Sequence, residues 1–247
     1  MIAARQIAFG KAAGKKEEPP AYGGLRFTAE SANSSVQLTA VGSAPAVTLV
    51  KSFDGVNWSD YTVGEVIELP RVGDFVYLAA GEGGNETFGS STSVYHQFVI
   101  NGLVAASGDI TSLRRFDLEQ TTLAGYCYSN MFSGCTGLTS APELPATTLA
   151  TNCYQHMFEG CTGLTSAPEL PATRLLSQCY RFMFKECKNI SIIKIHFTSW
   201  DISSFSGKTN DWVAGVASIG TFYKPTALPE EYGKSKIPTG WTVVNID

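Results

Sequence analysis

The sequence predicts a mainly β protein with short helices, in which an antiparallel β-sandwich is followed by a short solenoid and a C-terminal cap. Two observations support this fold class. Residues 24–107 carry short runs of strand-forming residues broken by turn signals, and residues 108–190 repeat with a period of 26 residues. The flanking segments are residues 1–23, a tail or anchoring peptide, and residues 191–247, the cap.

The sandwich prediction depends on apolar runs and alternation at strand length. Turn clusters such as Asp54-Gly55 and Gly81–Gly84 separate the runs. The cap is expected to contain further strands and a short helix near residues 210–216. The expected strands are Leu25–Ala29, Val36–Val41, Val47–Phe53, Val66–Leu69, Phe75–Ala80, Tyr95–Asn101, Leu103–Ala106, Ile192–Phe197, Thr221–Tyr223 and Trp241–Ile246.

The repeated segment is present in two full copies and the start of a third. Cys127, Cys153 and Cys179 are 26 residues apart, and the run GCTGLTSAPELPAT is identical in both full copies. Such copies are units that bury their apolar face only by stacking on a neighbour. A period of 26 lies within the range of leucine-rich repeats, so we predict a leucine-rich-repeat solenoid of about three units.

Each copy is expected to be a short helix followed by an extended arm. From Leu149 to Cys161 apolar side chains recur every four residues, which is typical of one helix face. Pro168 and Pro171 exclude a helix from the second half and favour an extended chain.

The six cysteines are predicted to be small buried hydrophobes. Two cysteines of one copy are eight residues apart, which is too far for a disulfide along a helix. The spacing also lacks the C-x2-C pair of a zinc site. Met157, Phe158 and Cys161 are expected to share one interior.

The pattern CYxxMFxxCTxLTxAPELPATTL closely resembles the 26-residue repeat of BspA-like bacterial surface proteins, which also occurs in surface and virion proteins of gut bacteria and their phages. Residues 121–190 carry it nearly in full, and the flanks extend the resemblance over residues 24–247. The family is known for adhesion and surface display. The resemblance therefore implies a protein without catalytic residues, metal or cofactor.

Composition excludes some partners. The net charge of −4 gives no basis for nucleic-acid binding. No apolar run reaches the 18 residues of a membrane span, so no membrane insertion is expected.

Catalytic and metal-binding patterns were sought. The three histidines, His96, His156 and His196, are scattered over three regions. The acidic run that begins at Asp54 lacks calcium-loop spacing and is better explained as a turn.

One pair of carboxylates could in principle act on a glycosidic bond. Glu143 and Glu169 are equivalent residues of adjacent copies and are expected to stack about 5 Å apart, close to the spacing in a retaining glycosidase. Two solvated charges beside prolines are the simpler explanation.

A binding face is predicted from the positions at which the copies differ. Interior positions cannot vary freely without loss of packing, so variable residues should face solvent along one side of the stack. Glu159 is replaced by Lys185 and Thr148 by Arg174 between copies. The predicted binding residues are Asn130, Gln155, His156, Arg174, Arg181 and Phe182.

The N-terminal segment differs from the rest of the chain. Arg5 and Gln6 interrupt its apolar run, so it does not match a secretory signal. A bacterial adhesin would be expected to carry such a signal, whereas a phage virion protein would need none. We therefore expect residues 1–20 to anchor the chain to other virion proteins, through Ile2, Arg5, Ile7 and Phe9.

The sequence-based hypothesis is thus a fibre- or decoration-like protein on the virion surface that binds a host-surface glycan or protein. A homo-oligomer is expected, and a trimer would be common for a fibre, although no heptad pattern requires one. The alternatives are a bacterial cell-surface adhesin and a purely structural decoration protein.

Overall fold

The computed structural model describes residues 23–116, 122–200 and 207–246, and it confirms a mainly β chain. The strands form sheets of six, four and three members. Their bounds are β1 Arg26–Ala29, β2 Ser34–Val41, β3 Leu49–Ser52, β4 Ser59–Tyr61, β5 Val66–Leu69, β6 Phe75–Ala80, β7 Gly89–Ser91, β8 Val94–Asn101, β9 Val104–Ser107, β10 Leu138–Ser140, β11 Ile192–Lys194, β12 Thr221–Pro225 and β13 Thr242–Ile246.

The first part of the chain forms two sheets that share a core. Their strand orders are β10-β9-β1-β6-β3-β4 and β5-β2-β8-β7, and all pairs except β10–β9 are antiparallel. Alternation along β1 buries Phe27 and leaves Arg26 and Thr28 partly exposed. The Phe27 ring meets Phe98 of β8 edge-to-face, with centroids 4.9 Å apart, and this contact joins the two sheets.

The repeats continue directly from this sheet. β10, the first strand of the repeat region, pairs in parallel with β9, and Leu138 lies opposite Val104. Backbone bonds cross the same junction, for example from Phe98 N to Met131 O at 2.7 Å. The predicted boundary at residues 107–108 is therefore crossed by hydrogen bonds.

The prediction of a leucine-rich-repeat solenoid with short helices is wrong. Residues 125–134, 151–160 and 177–186 are successive turns, and the described part of the chain contains one 3₁₀ helix, Ile110–Leu113, and no α-helix. None of the three sheets forms the continuous ladder of a solenoid.

The backbone explains why no helix forms. Asn152, His156 and Gly160 have φ angles of 60°, 56° and 74°, in the left-handed region. A left-handed residue at every fourth position breaks the bonds that an α-helix needs. Consecutive four-residue turns bury every fourth side chain just as a helix face does, so the apolar spacing was misinterpreted.

The second half of each copy also fails to form a ladder. Prolines in the run APELP lack the N–H that a ladder requires. Neighbouring copies meet there through isolated bridges, such as Leu170 with Ile195.

The turn segments, which we call coils, stack through a regular alternation of backbone bonds. Within a coil, Met157 N bonds to Tyr154 O at 3.2 Å. Between coils, Tyr154 N bonds to Cys179 O at 3.1 Å and His156 N bonds to Arg181 O at 3.0 Å. The coils are therefore held in fixed register, with equivalent side chains above one another.

The interior of the stack consists of aromatic rings and thiols. The rings of Phe132, Phe158 and Phe184 stack at centroid distances of 5.4 and 5.8 Å, and Tyr128, Tyr154 and Tyr180 stack at 5.9 and 6.1 Å. The predicted burial of Met157, Phe158 and Cys161 is confirmed, since all three are 0% exposed.

All six cysteines are free and buried, as predicted. Burial raises the pKa of the Cys127 thiol to about 12 and the pKa of Cys161 well above its usual range. The Cys161 and Cys187 thiols donate to the carbonyls of Phe132 and Phe158, both at 2.9 Å. These thiols serve packing and are unsuited to act as nucleophiles.

A fourth coil, residues 208–215, lies where a short helix was predicted. Phe184 N bonds to Trp212 O at 2.8 Å, and Asp211 and Gly215 have positive φ angles like their counterparts in the other coils. β11, β12 and β13 then pair in parallel at the end of the stack.

Glu186→Gly is expected to raise the free energy of unfolding by about 0.5–1 kcal/mol. Glu186 has a φ of 59°, whereas the equivalent positions are Gly134 and Gly160, with φ of 73° and 74°. Removing the side chain relieves left-handed strain, and the entropy of glycine offsets part of the gain. Urea denaturation measures the change. The reciprocal Gly160→Ala should cost about 1 kcal/mol, and a less stable Glu186→Gly would contradict the argument.

Candidate functional site

The candidate site lies on the side of the coil stack where side chains of the second and third coils reach solvent. It consists of His156, Glu159, Arg181, Phe182 and Lys185, all partly exposed. We call these five residues the coil-face patch. The bond from His156 N to Arg181 O fixes the two coils in the register that brings these side chains together.

Phe182 is the centre of the patch. Its ring centroid lies 4.7 Å from that of His156, 4.5 Å from the Arg181 guanidinium carbon and 5.0 Å from Lys185 Nζ. Cations over an exposed aromatic ring gain about 0.5–1 kcal/mol each. The ring therefore holds two flexible basic side chains in place.

Glu159 links the two coils. Its carboxylate accepts hydrogen bonds from His156 Nδ1 and from Lys185 Nζ, the latter at 2.8 Å. Burial alone would raise the pKa of Glu159, but the bonds from Lys185 and His156 outweigh burial and lower it. With His156 neutral, the patch carries one net positive charge.

The depressed pKa predicts how stability depends on pH. The stabilisation from Glu159 is fully present above its ordinary pKa of 4.5 and is lost as the pH falls through its lower value in the folded protein. Acidification from pH 7 to below that value should remove at most about 1 kcal/mol at this site, because the partners are partly solvated.

Comparing urea denaturation of the wild-type chain and Glu159→Gln across this range tests the prediction. The stability difference between them should shrink on acidification. Glu68→Gln, an exposed change on β5, is the control. A difference that is constant with pH would contradict the ion-pair role.

The structure brings together three of the predicted binding residues, His156, Arg181 and Phe182. It does not expose two others, so their predicted solvent exposure is wrong. Gln155 is 0% exposed and accepts a hydrogen bond from Asn152 Nδ2 at 2.6 Å, while Asn130 is only 9% exposed and bonds to Ser129. A polar side chain can vary and still be buried when its own turn supplies a partner.

The remaining predicted residues lie elsewhere. Arg174 is exposed on the segment that precedes the third coil, apart from the patch. The predicted anchoring residues Ile2, Arg5, Ile7 and Phe9 fall outside the described residues.

Sequence reasoning left Glu159 and Lys185 out of the site. Their opposite charges at equivalent positions, 26 residues apart, are the signal that would have found them. Stacking of copies places equivalent positions side by side, and opposite charges there form an ion pair.

The other sequence candidates have local structural partners. His96 is buried with its Nδ1 3.0 Å from Phe88 O, and burial lowers its pKa. Glu169 contacts Lys194 Nζ at 2.9 Å and His196 Nε2 at 2.6 Å, and these two hydrogen bonds lower its pKa. A carboxylate held in its charged form in this way lacks the raised pKa of a general acid.

Asp54 forms the predicted turn. Its carboxylate accepts from the backbone N–H groups of Val56 and Asn57 at 2.8 and 2.7 Å, and these bonds lower its pKa. Across the three described ranges, no group of three or more potential metal ligands is found.

In those same ranges, no helix has the length and apolarity needed to span a bilayer. Comparisons with protein-family models, curated proteins and solved structures found no match for this chain. The site therefore has to be interpreted from its own geometry.

Proposed function

We propose that this chain is a non-enzymatic surface protein of a phage virion, fibre- or decoration-like, anchored through residues 1–20. In this role the stacked coils display a binding face to a host-surface glycan or protein. The virion assignment derives from the repeat resemblance and from the composition of the N-terminal segment. The binding role derives from the coil-face patch.

One observation carries the binding role. The coil interior is the same in every copy, whereas His156, Arg181 and Phe182 replace Asn130, Ser129 and Asn130 of the first copy. These differing residues gather into one patch with an aromatic ring and two permanent cations. Aromatic and arginine side chains are the residues that most often supply binding energy at interfaces.

The patch is suited to binding and offers no reactive centre. Its single carboxylate is held by two donors, and no thiol or hydroxyl belongs to it. A polar ligand with a negative charge would meet the Arg181 guanidinium, which forms paired hydrogen bonds with carboxylates and phosphates.

The first experiment locates the chain. Antibody labelling of purified particles should place it on the particle surface, and deletion of residues 1–20 should abolish its incorporation. Presence on intact bacterial cells and absence from particles would instead identify a cell-surface adhesin and overturn the proposal.

The second experiment tests display. The exchange Arg181→Ser, Phe182→Asn and Lys185→Ser gives the third coil the residues of the first, which already fit a coil. Adsorption of particles to host cells should fall roughly tenfold or more, as expected for loss of an interface anchor of about 1.4 kcal/mol. Val72→Ser, on an exposed residue of the sandwich, is the matched control. Unchanged adsorption with normal incorporation would leave only a structural decoration role.

A further inference from the structure

A second feature, separate from the coil-face patch, is a cleft of about 190 Å³ beside the third and fourth coils. One wall is residues 173–175, which precede the third coil, and another is residues 197–199, which follow β11. Lys208, at the start of the fourth coil, completes it. Leu175 and Phe197 belong to the buried core and give the cleft an apolar floor.

The rim of the cleft is polar and basic. Arg174 and Lys208 bring two cations, and Thr173, Thr198 and Ser199 bring exposed hydroxyl groups. No acidic side chain is among the described residues that line it. An uncompensated pair of cations beside hydroxyl donors and acceptors favours an anion that also carries hydroxyl groups.

Arg174 has the features of a ligand-binding residue. It follows the 14-residue run that is identical in both copies, and Thr148 takes its place in the preceding copy. Packing of a copy therefore does not require arginine here. The side chain is exposed, and within the described residues it forms no hydrogen bond or ion pair.

We infer that this cleft binds a single acidic sugar residue of the hexuronic acid type. The Arg174 guanidinium matches the paired oxygens of a carboxylate. The hydroxyl groups of Thr173, Thr198 and Ser199 match ring hydroxyls, and the apolar floor matches the C–H face of the ring. The volume is below the roughly 300–1,000 Å³ of pockets for larger ligands, which fits one ring.

The inference extends the proposed display function to a named class of host glycan, but its test does not depend on any particle. The full chain, labelled with nitrogen-15, is titrated separately with sodium glucuronate, glucose and sodium sulfate. Glucuronate should shift the amide signals of residues 173–175 and 197–199 in a saturable manner. Glucose should bind roughly tenfold more weakly, because it lacks the carboxylate.

Arg174→Thr restores the residue of the preceding copy and should weaken glucuronate binding roughly tenfold or more. Thr198→Val should weaken binding of glucuronate without changing the net charge of the cleft. Arg181→Ser, in the coil-face patch, should leave this titration unchanged. The amide spectrum itself reports whether each variant is folded.

Three results would overturn the inference: equal binding of glucose and glucuronate, full glucuronate binding by folded Arg174→Thr, or equal shifts and affinity with sulfate. The last result would mean that the cleft takes any anion. None of these results bears on whether the chain is incorporated into particles, so failure here is distinguishable from failure of the proposed function.

Discussion

Phe158→Ala is expected to lower the free energy of unfolding by about 3–5 kcal/mol. The Phe158 ring is 0% exposed and lies between Phe132 and Phe184, with interplanar angles of 8° and 7°. Backbone bonds from Phe132 N to Met157 O and from Phe158 N to Met183 O fix the distance between coils. Because the coils cannot close over the gap, most of the ring volume becomes a cavity.

Urea denaturation followed by circular dichroism measures this loss. Tyr154→Phe is the matched control, because it keeps a stacked ring in the same coil. The Tyr154 hydroxyl is buried and has no hydrogen-bond partner in the described structure, so its removal should be neutral or slightly stabilising. A cost below about 1 kcal/mol for Phe158→Ala would show that the ring ladder contributes little.

Gly163→Ala is expected to cost about 3 kcal/mol, at the upper end for overpacking. A Cβ at Gly163 would lie 2.5 Å from Leu138 O and 2.7 Å from Thr136 O, both on the backbone of the preceding copy. Neither carbonyl can rotate away as a flexible side chain could, so the two copies must separate locally. The backbone here approaches its neighbour too closely for any other residue.

The comparison with Gly160→Ala isolates the steric part of this cost. A Cβ at Gly160 meets nothing closer than 3.8 Å, so that change carries only the strain of its backbone conformation. Thermal denaturation of both variants should give Gly163→Ala the lower midpoint. If the two midpoints agree, close approach of the copies is not what requires glycine at residue 163.

Several features could be predicted from the sequence because they depend on composition at equivalent positions. The period of 26, the burial of Met157 and Phe158, and the free state of the cysteines all follow from residues that recur in every copy. Most strands of the first sheets were also predicted within a few residues. β4 and β7 were missed, since each has only three residues and little apolar signal.

The coil conformation could not be obtained from apolar spacing. A helix face and a chain of four-residue turns both bury every fourth side chain, so spacing does not separate them. Asn130, Gly134, Asn152 and Gly160 were the usable signal, because asparagine and glycine tolerate a positive φ. The fourth coil escaped notice because its spacing differs from 26, and only its backbone bonds reveal it.

By itself the sequence determined that this chain is mainly β, that its copies stack, and which aromatic and sulfur side chains they hide. Only the tertiary structure decided that the copies are turns, that Gln155 is buried beside an exposed His156, and that Glu159 meets Lys185. The physical reason is that burial of apolar residues depends on a repeating pattern along the chain. Which polar side chains meet is set instead by the register of backbone hydrogen bonds between coils, which local spacing does not encode.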